Sequence, residues 1–337
     1  MKSKTVFVFL AALTLLRCVW LALQGIAPQE AYYWMCSDRL APAFFDGPPG
    51  TALLVHLLGW LTGDSLNLIR LAWPILGFAA AWCAWLLARS LFDEVVAGWV
   101  VVALNALPLF NEECVTMGPL VPTLFLTLAA ALAVVHSRED IGGAWYFAAA
   151  FLTLAVLFRY EAVLFSLGLC FYLRRPIFEK ERRALIALAG LLLLPTMILL
   201  APLAWNAALG WVPIAGGTLQ TLWLPRFSSW GLGLTEFFRL FSFGMGVVIL
   251  GGFIGLCRAS RKCDEYKFLL CICGPASLWA LYSFYAGGDI TTAVLLSCVP
   301  ILIFLAAQGI HRRFMPVAGS VVVALALFSS AFMLRQS

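Results

Sequence analysis

The chain is a succession of apolar runs broken by short polar joints. The runs fall at residues 5–27, 66–91, 95–110, 117–136, 143–158, 161–173, 184–206, 240–257, 268–286, 290–309 and 314–334. Each is near the roughly 20 apolar residues that let a helix cross a hydrocarbon core, and no long polar stretch separates them. The pattern predicts an all-α integral membrane protein, a polytopic bundle of about eleven transmembrane helices in which every backbone polar group is satisfied inside its own helix. Residues 1–337 are expected to form one transmembrane domain without a separate soluble module. The piece TALLVHLLGWL, about residues 51–61, follows a Pro-Pro turn and is too short to cross; it is expected to lie at the interface in the first outer loop. The opening run follows Lys2 and Lys4 and is longer than a signal-peptide core. With no small-residue cleavage site before Pro28, it is expected to remain as the first helix.

Basic residues give the bundle a direction. Lys2 and Lys4, Arg89, Arg138, the group from Arg174 to Arg183, the group from Arg258 to Lys267, and Arg312 with Arg313 all fall on one side of the expected spans. Positive charge collects on cytoplasmic loops, so the amino terminus is expected in the cytoplasm. The opposite side then carries Asp64, Asn111, Glu112, Glu113, the break at Arg159-Tyr160-Glu161, a tryptophan-rich loop from about 207 to 236, and Asp289. Long loops with carboxylates, tryptophans and prolines are where chemistry is expected.

Composition agrees with this reading. Hydrophobic residues make up 63% and charged residues 12% of the chain, too little charge to cover a water-facing surface. Mean hydropathy is +0.96. The formal charge of +5 is accounted for by membrane orientation, and no basic surface for nucleic acid is present. The ten cysteines are scattered singly through apolar segments, apart from Cys271 and Cys273, and read as packing residues. His56, His136 and His311 are far apart, and no phosphate-binding loop or zinc-protease motif occurs. A resident metal has no motif behind it, although a divalent cation is left open as a cofactor.

Candidate chemistry gathers in QEAYYWMCSDRLAPAFFDGPPG, residues 29–50. Glu30 directly follows the first run, between Gln29 and the aromatic pair Tyr32 and Tyr33. A carboxylate at such a junction is partly desolvated, which strengthens it as a base toward a neighbouring hydroxyl; it can equally be an exposed acid beside an aromatic belt. Asp46 lies in FFDGPPG, where Pro48 and Pro49 stiffen the chain while Gly47 and Gly50 permit turns. It is either a fixed catalytic carboxylate or a turn cap. Arg159, Tyr160 and Glu161 interrupt an apolar run; the two charges can pair at an outer turn, or Arg159 can bind a phosphate headgroup. Arg17, within the first run, and Arg226 are further candidates for phosphate. Glu112 and Glu113 read most simply as a solvated turn.

Several of these segments, in order, resemble the GT-C glycosyltransferases, the polytopic superfamily that includes protein O-mannosyltransferases and the aminoarabinose transferases of lipid A. QEAYYW is similar to the acid-rich motif that opens the first outer loop of that group, and FFDGPP to its Asp-His-Pro-Pro turn. GDSLNLIRLAWPILGFAAAWCAWLLARSLF, RYEAVLFSLGLCFYLRRP and PLAWNAALGW resemble further segments of the same group. The resemblance implies an enzyme that moves a sugar from a polyprenyl-phosphate carrier to a lipid, glycan or protein acceptor on the outer face of the membrane, with inversion. It implies Glu30 or Asp46 as the base, and Gln29, Tyr32, Tyr33, Arg159, Tyr160, Glu161 and Arg226 as substrate-binding residues. A bacterial inner membrane with a periplasmic site is the expected setting.

The sequence departs from the group's pattern at three points. Gln29 stands where the group carries its first acid, Gly47 where it carries a histidine, and Gly118 where it carries a further aspartate. These departures leave open a scaffold that binds a lipid carrier or a partner protein without transferring sugar. A transporter or flippase is the third reading, and neither internal repeats nor polar residues at mid-membrane support it.

Overall fold

A computed structural model describes residues 3–44, 47–136, 143–178, 182–208, 249, 251–286 and 291–308. Those residues are helical almost throughout. The helices are α1 (Ser3–Leu23), α2 (Pro28–Asp38), α3 (Gly50–Thr62), α4 (Leu66–Arg70), α5 (Ala72–Leu91), α6 (Glu94–Ala106), α7 (Pro108–Glu113), α8 (Leu120–His136), α9 (Gly143–Phe158), α10 (Val163–Phe178), α11 (Arg182–Ala208), α12 (Asp264–Ala286) and α13 (Thr291–Ala307). A single 3-10 turn, Tyr160–Ala162, separates α9 from α10. Among the described residues the only β contact is one isolated bridge between Phe44 and Gly47.

Local sequence explains the helix ends. Asp93 caps α6 by accepting from the N–H groups of Val95 and Val96, both at 2.8 Å. Pro108 ends that helix, because it lacks an N–H and forces Leu107 into extended backbone; the chain restarts at once as α7. The expected span 95–110 is therefore two helices. The span 66–91 is likewise divided at Leu71, since Pro74 cannot donate to the carbonyl of Arg70. The helix expected from residue 117 begins at Leu120, after Gly118 and Pro119. The interfacial piece expected at 51–61 is α3, which stops at Gly63 with a left-handed φ of 66°. The last expected span, 314–334, lies outside the described residues, and that at 240–257 lies mostly so.

Helix contacts run in a closed circuit: α5 packs on α8, α8 on α9, α9 on α10, α10 on α12, α12 on α13, α13 on α6, and α6 back on α5. α11 lies against α9 and α10, and α1 against α5. Trp73, Trp85, Phe110, Phe165 and Phe268 fill the interior. Small residues bring the backbones close: the space for a side chain at Gly168 is occupied by the backbone around Cys271, with Ile272 Cα at 3.1 Å. The outward face is just as apolar. Phe7, Leu15, Leu16 and Val19 of α1, and Leu193, Leu194, Met197 and Leu200 of α11, are exposed. Such a surface is sensible only against lipid. Among the described residues three helical stretches, Ser3–Leu23, Leu66–Leu91 and Leu185–Trp205, are long and apolar enough to cross a membrane.

Alternation of the helices sorts the polar residues by end. One end carries Arg89, the α6 cap Asp93, His136 and the start of α12, where Tyr266 stacks on Phe92. The opposite end carries the carboxyl end of α1, α2, α3, α4, α7 and the α9–α10 break. Every described residue of the candidate site is at this second end.

Candidate active site

Glu30 and Arg70 form the anchor of the site end. Glu30 is the third residue of α2, and its Oε2 accepts from the N–H of Ala27 at 2.9 Å, securing the start of that helix. Its Oε1 accepts from Arg70 Nε at 3.0 Å. The same guanidinium donates to the carbonyls of Leu21 and Gln24, each at 3.2 Å, and of Gly25 at 3.1 Å. Arg70 thus closes the carboxyl end of α1 and ties it to α2. Glu30 is fully buried and Arg70 only 3% exposed. The structure corrects the picture of Glu30 as an exposed interfacial acid: both carboxylate oxygens are engaged, and the group acts here as a fastener.

Its neighbour Gln29 faces the other way and is exposed. Gln29 Nε2 lies 3.1 Å, and Glu113 Oε2 2.9 Å, from the point where a side chain at Gly118 would begin. The amide, the carboxylate and the glycine thus surround one small volume. Gly118 is held there by Trp73, whose Nε1–H donates to the Gly118 carbonyl at 2.7 Å. Glu112 is exposed, as expected of a solvated turn, but Glu113 is half-buried with its Oε2 shielded from solvent.

α7 is fixed from beneath by Arg17. The Arg17 guanidinium donates through one Nη to Asn105 Oδ1 at 2.9 Å and to Asn111 Oδ1 at 2.6 Å, and it lies over the Phe110 ring at 5.5 Å. Asn111 in turn donates to the carbonyls of Asn105 at 2.6 Å and Leu107 at 3.1 Å, bridging the α6–α7 break that Pro108 creates. Cys114 follows in the α7–α8 connector. Burial pushes its thiol up to about 11; Arg17 pulls it down and Glu113 pushes it up.

The other expected residues are placed as follows. Tyr32 is half-buried and Tyr33 buried, with their rings edge-to-face at 5.3 Å. Arg159 and Glu161 pair with each other at 3.9 Å across the α9–α10 break, with Tyr160 between them. α3 joins that break to the first loop: Gly50 abuts the backbone of Leu157 and Phe158, the latter's N being 2.9 Å from where a Cβ would lie. Asp46 and Arg226 are outside the described residues. Phe44 and Gly47, in the same turn sequence, exchange backbone hydrogen bonds of 2.9 and 3.4 Å. Gly47 has φ of 153°, a conformation that disfavours side chains and accounts for glycine there. Among the described residues no three His, Cys, Asp or Glu side chains are grouped to hold a metal.

Sequence reasoning missed Arg70 as the partner of Glu30, although an arginine inside LNLIRLAWP signals a buried counter-charge. It also missed Asn105, and it named Asn111 without its role as a partner of Arg17. Two amides around a proline break in an apolar run were the available signal.

With this geometry in view, the fold belongs to a known class. The structure of ArnT from Cupriavidus metallidurans bound to undecaprenyl phosphate aligns over 99% of this chain, with a TM-score of 0.62 and 15% sequence identity. The archaeal oligosaccharyltransferase AglB from Archaeoglobus fulgidus, in complex with an inhibitory peptide and a dolichol-phosphate, aligns over 97% with a TM-score of 0.59 and 12% identity. At these identities the likeness shows the fold alone, a helical membrane fold shared with ArnT and AglB. This chain spans 65% of the ArnT chain and 54% of the AglB chain. Residues 46–205 match the family model described as dolichyl-phosphate-mannose-protein mannosyltransferase. No curated protein sequence matches the chain.

Proposed function

We propose that this protein is a membrane glycosyltransferase that passes a sugar from a polyprenyl-phosphate carrier to an acceptor hydroxyl at the bundle end formed by α2, α3, α7 and the α9–α10 break. The observation that carries this reading is the agreement of fold over nearly the whole chain with a protein bound to undecaprenyl phosphate, together with a family match over residues 46–205. The site end supplies what such a reaction needs. The reaction needs a carboxylate to take the acceptor proton and a guanidinium for the phosphate, and this end carries acids, Arg159 and the ring pair Tyr32–Tyr33. Arg159 is the candidate for the phosphate among the described residues, partly buried beside Glu161 at the α9–α10 break. Tyr32, Tyr33 and Tyr160 are the aromatic candidates for substrate contact, and Asp46 and Arg226 remain candidates by sequence.

In this reading the site faces the outside of a bacterial inner membrane, the amino terminus is cytoplasmic, and about eleven helices cross the bilayer. The displacement is a single inversion at the anomeric carbon. The lipid phosphate leaves, and the acceptor is a lipid, glycan or protein hydroxyl. The experiment is reconstitution in proteoliposomes with a panel of undecaprenyl-phosphate sugars, mannose included, and envelope extract as acceptor. Transfer releases undecaprenyl phosphate in proportion to sugar-modified product. Binding of the carrier without release would instead support a non-catalytic scaffold, and flux of intact donor across the bilayer a flippase.

A further inference from the structure

The glycosyl-transfer reading leaves open which carboxylate receives the acceptor proton, and the geometry points to Glu113. We propose that Glu113 is the general base of this chain, with Gln29 orienting the acceptor across the space that Gly118 leaves free.

The argument rests on that reading and on four placements. Glu30 has one oxygen on Arg70 and the other on the cap of α2, and it is fully buried, so it cannot meet an incoming hydroxyl without dismantling the end of α1. Gln29, adjacent to it, is exposed but is an amide and cannot take a proton at neutral pH. Glu113 is the carboxylate beside Gln29: its Oε2 and Gln29 Nε2 both lie within 3.1 Å of the point where a side chain at 118 would start. Residue 118 has ordinary backbone geometry, since Gly47 and Gly63 are the described glycines with positive φ, so glycine there serves space and not conformation. A side chain at 118 would displace the Glu113 carboxylate. Glycine leaves that volume open, with the Glu113 carboxylate and the Gln29 amide both at its edge.

Glu113 is also held as a base needs to be. It ends α7, which Asn111 and Arg17 lock to the end of α6, and it adjoins Gly118, which Trp73 holds. A carboxylate on such a support loses little orientational freedom when it binds a hydroxyl.

The step balances as follows. Glu113 removes the acceptor O–H proton as the acceptor oxygen attacks the anomeric carbon of the donor. The bond from that carbon to the phosphate oxygen breaks, and its electron pair leaves with the polyprenyl phosphate, which gains one negative charge. Glu113 then releases its proton to water at the exposed Gln29 side.

The test moves the carboxylate instead of only deleting it. Envelope glycolipids and glycans are read by mass spectrometry in cells carrying the wild type, a deletion, Glu113→Gln, Glu113→Ala, the pair Glu113→Ala with Gly118→Asp, and the control Glu112→Gln. Undecaprenyl phosphate binding to each purified protein reports folding. Expected results are loss of a sugar-sized mass in the deletion, and a drop of about 100-fold or more in transfer for both Glu113 variants with binding retained. Glu112→Gln leaves transfer unchanged. The Gly118→Asp pair restores part of the activity, because its carboxylate enters the volume that Glu113→Ala vacates. A purely structural Glu113 would not be rescued this way. The proposal is overturned alone if the deletion loses the mass while Glu113→Gln keeps it, or if the rescue pair binds undecaprenyl phosphate and is as inactive as Glu113→Ala. If the deletion changes no mass, the glycosyltransferase reading fails and this assignment with it.

Discussion

Breaking the Glu30–Arg70 pair tests whether the site end is built on it. Glu30→Leu leaves Arg70 buried, still bonded to three main-chain carbonyls but without its counter-charge. Arg70→Met leaves Glu30 charged and fully buried with one remaining partner, the Ala27 N–H. Stranding one member of a buried pair costs about 3–5 kcal/mol. The double variant carries no buried charge at this pair and loses mainly the three bonds from Arg70 to the carboxyl end of α1, about 1 kcal/mol apiece. The two changes together should therefore cost about as much as either one alone, giving a coupling of roughly 3 kcal/mol or more. Unfolding in detergent can be followed with a thiol-reactive dye, because Cys114, Cys273 and Cys298 are fully buried and become reactive only when the bundle opens. At about 2–4 °C per kcal/mol for domains of 150–250 residues, each single change should lower the midpoint by on the order of 10 °C, and the double by no more. Additive losses, or a Glu30→Leu protein melting within about 2 °C of wild type, would refute the anchoring role.

Three smaller perturbations probe the supports around it. Asn111→Leu removes one of the two amide acceptors of Arg17 and the bridge over the α6–α7 break, and should cost about 1–3 kcal/mol in the same melting assay while lowering transfer. Asp93→Ala removes the α6 cap at the opposite end, and should cost about 1 kcal/mol with transfer unchanged. Gly50→Ala places a Cβ 2.6 Å from the Leu157 carbonyl carbon, so α3 must move off α9; a loss of about 1–3 kcal/mol and weaker transfer are expected, whereas an unchanged melt would show that the contact gives freely.

Much of the fold is legible in the sequence because a bilayer imposes one solution on long apolar runs. The break around Arg159–Glu161 and the short helix after Pro49 follow from residue type alone, and the structure has them as the 3-10 turn Tyr160–Ala162 and the helix Gly50–Thr62. Prolines inside apparent spans were harder to place. Pro74 and Pro108 each interrupt a ladder without interrupting the hydropathy, so two expected spans became four helices. The site was legible by region and not by role. Gln29, Glu30 and Glu113 are all at the expected end, but their functions depend on direction, which a 3.6-residue period fixes only once the packing partner is known. Consecutive residues of α2 point apart, sending Glu30 inward to Arg70 and Gln29 toward the space beside Gly118. The clamp of Arg17 on Asn111 spans 94 positions of sequence, so the two amides at the proline break signal a polar partner without naming it.

The central claim is tested most directly by reconstituting the purified protein with an undecaprenyl-phosphate sugar labelled in the sugar, adding envelope acceptor, and following the label. The account predicts that label moves to the acceptor while undecaprenyl phosphate appears in equal amount, with transfer collapsing in Glu113→Gln. Label that remains on the carrier for every sugar in the panel, with the carrier bound and the protein folded, would contradict it.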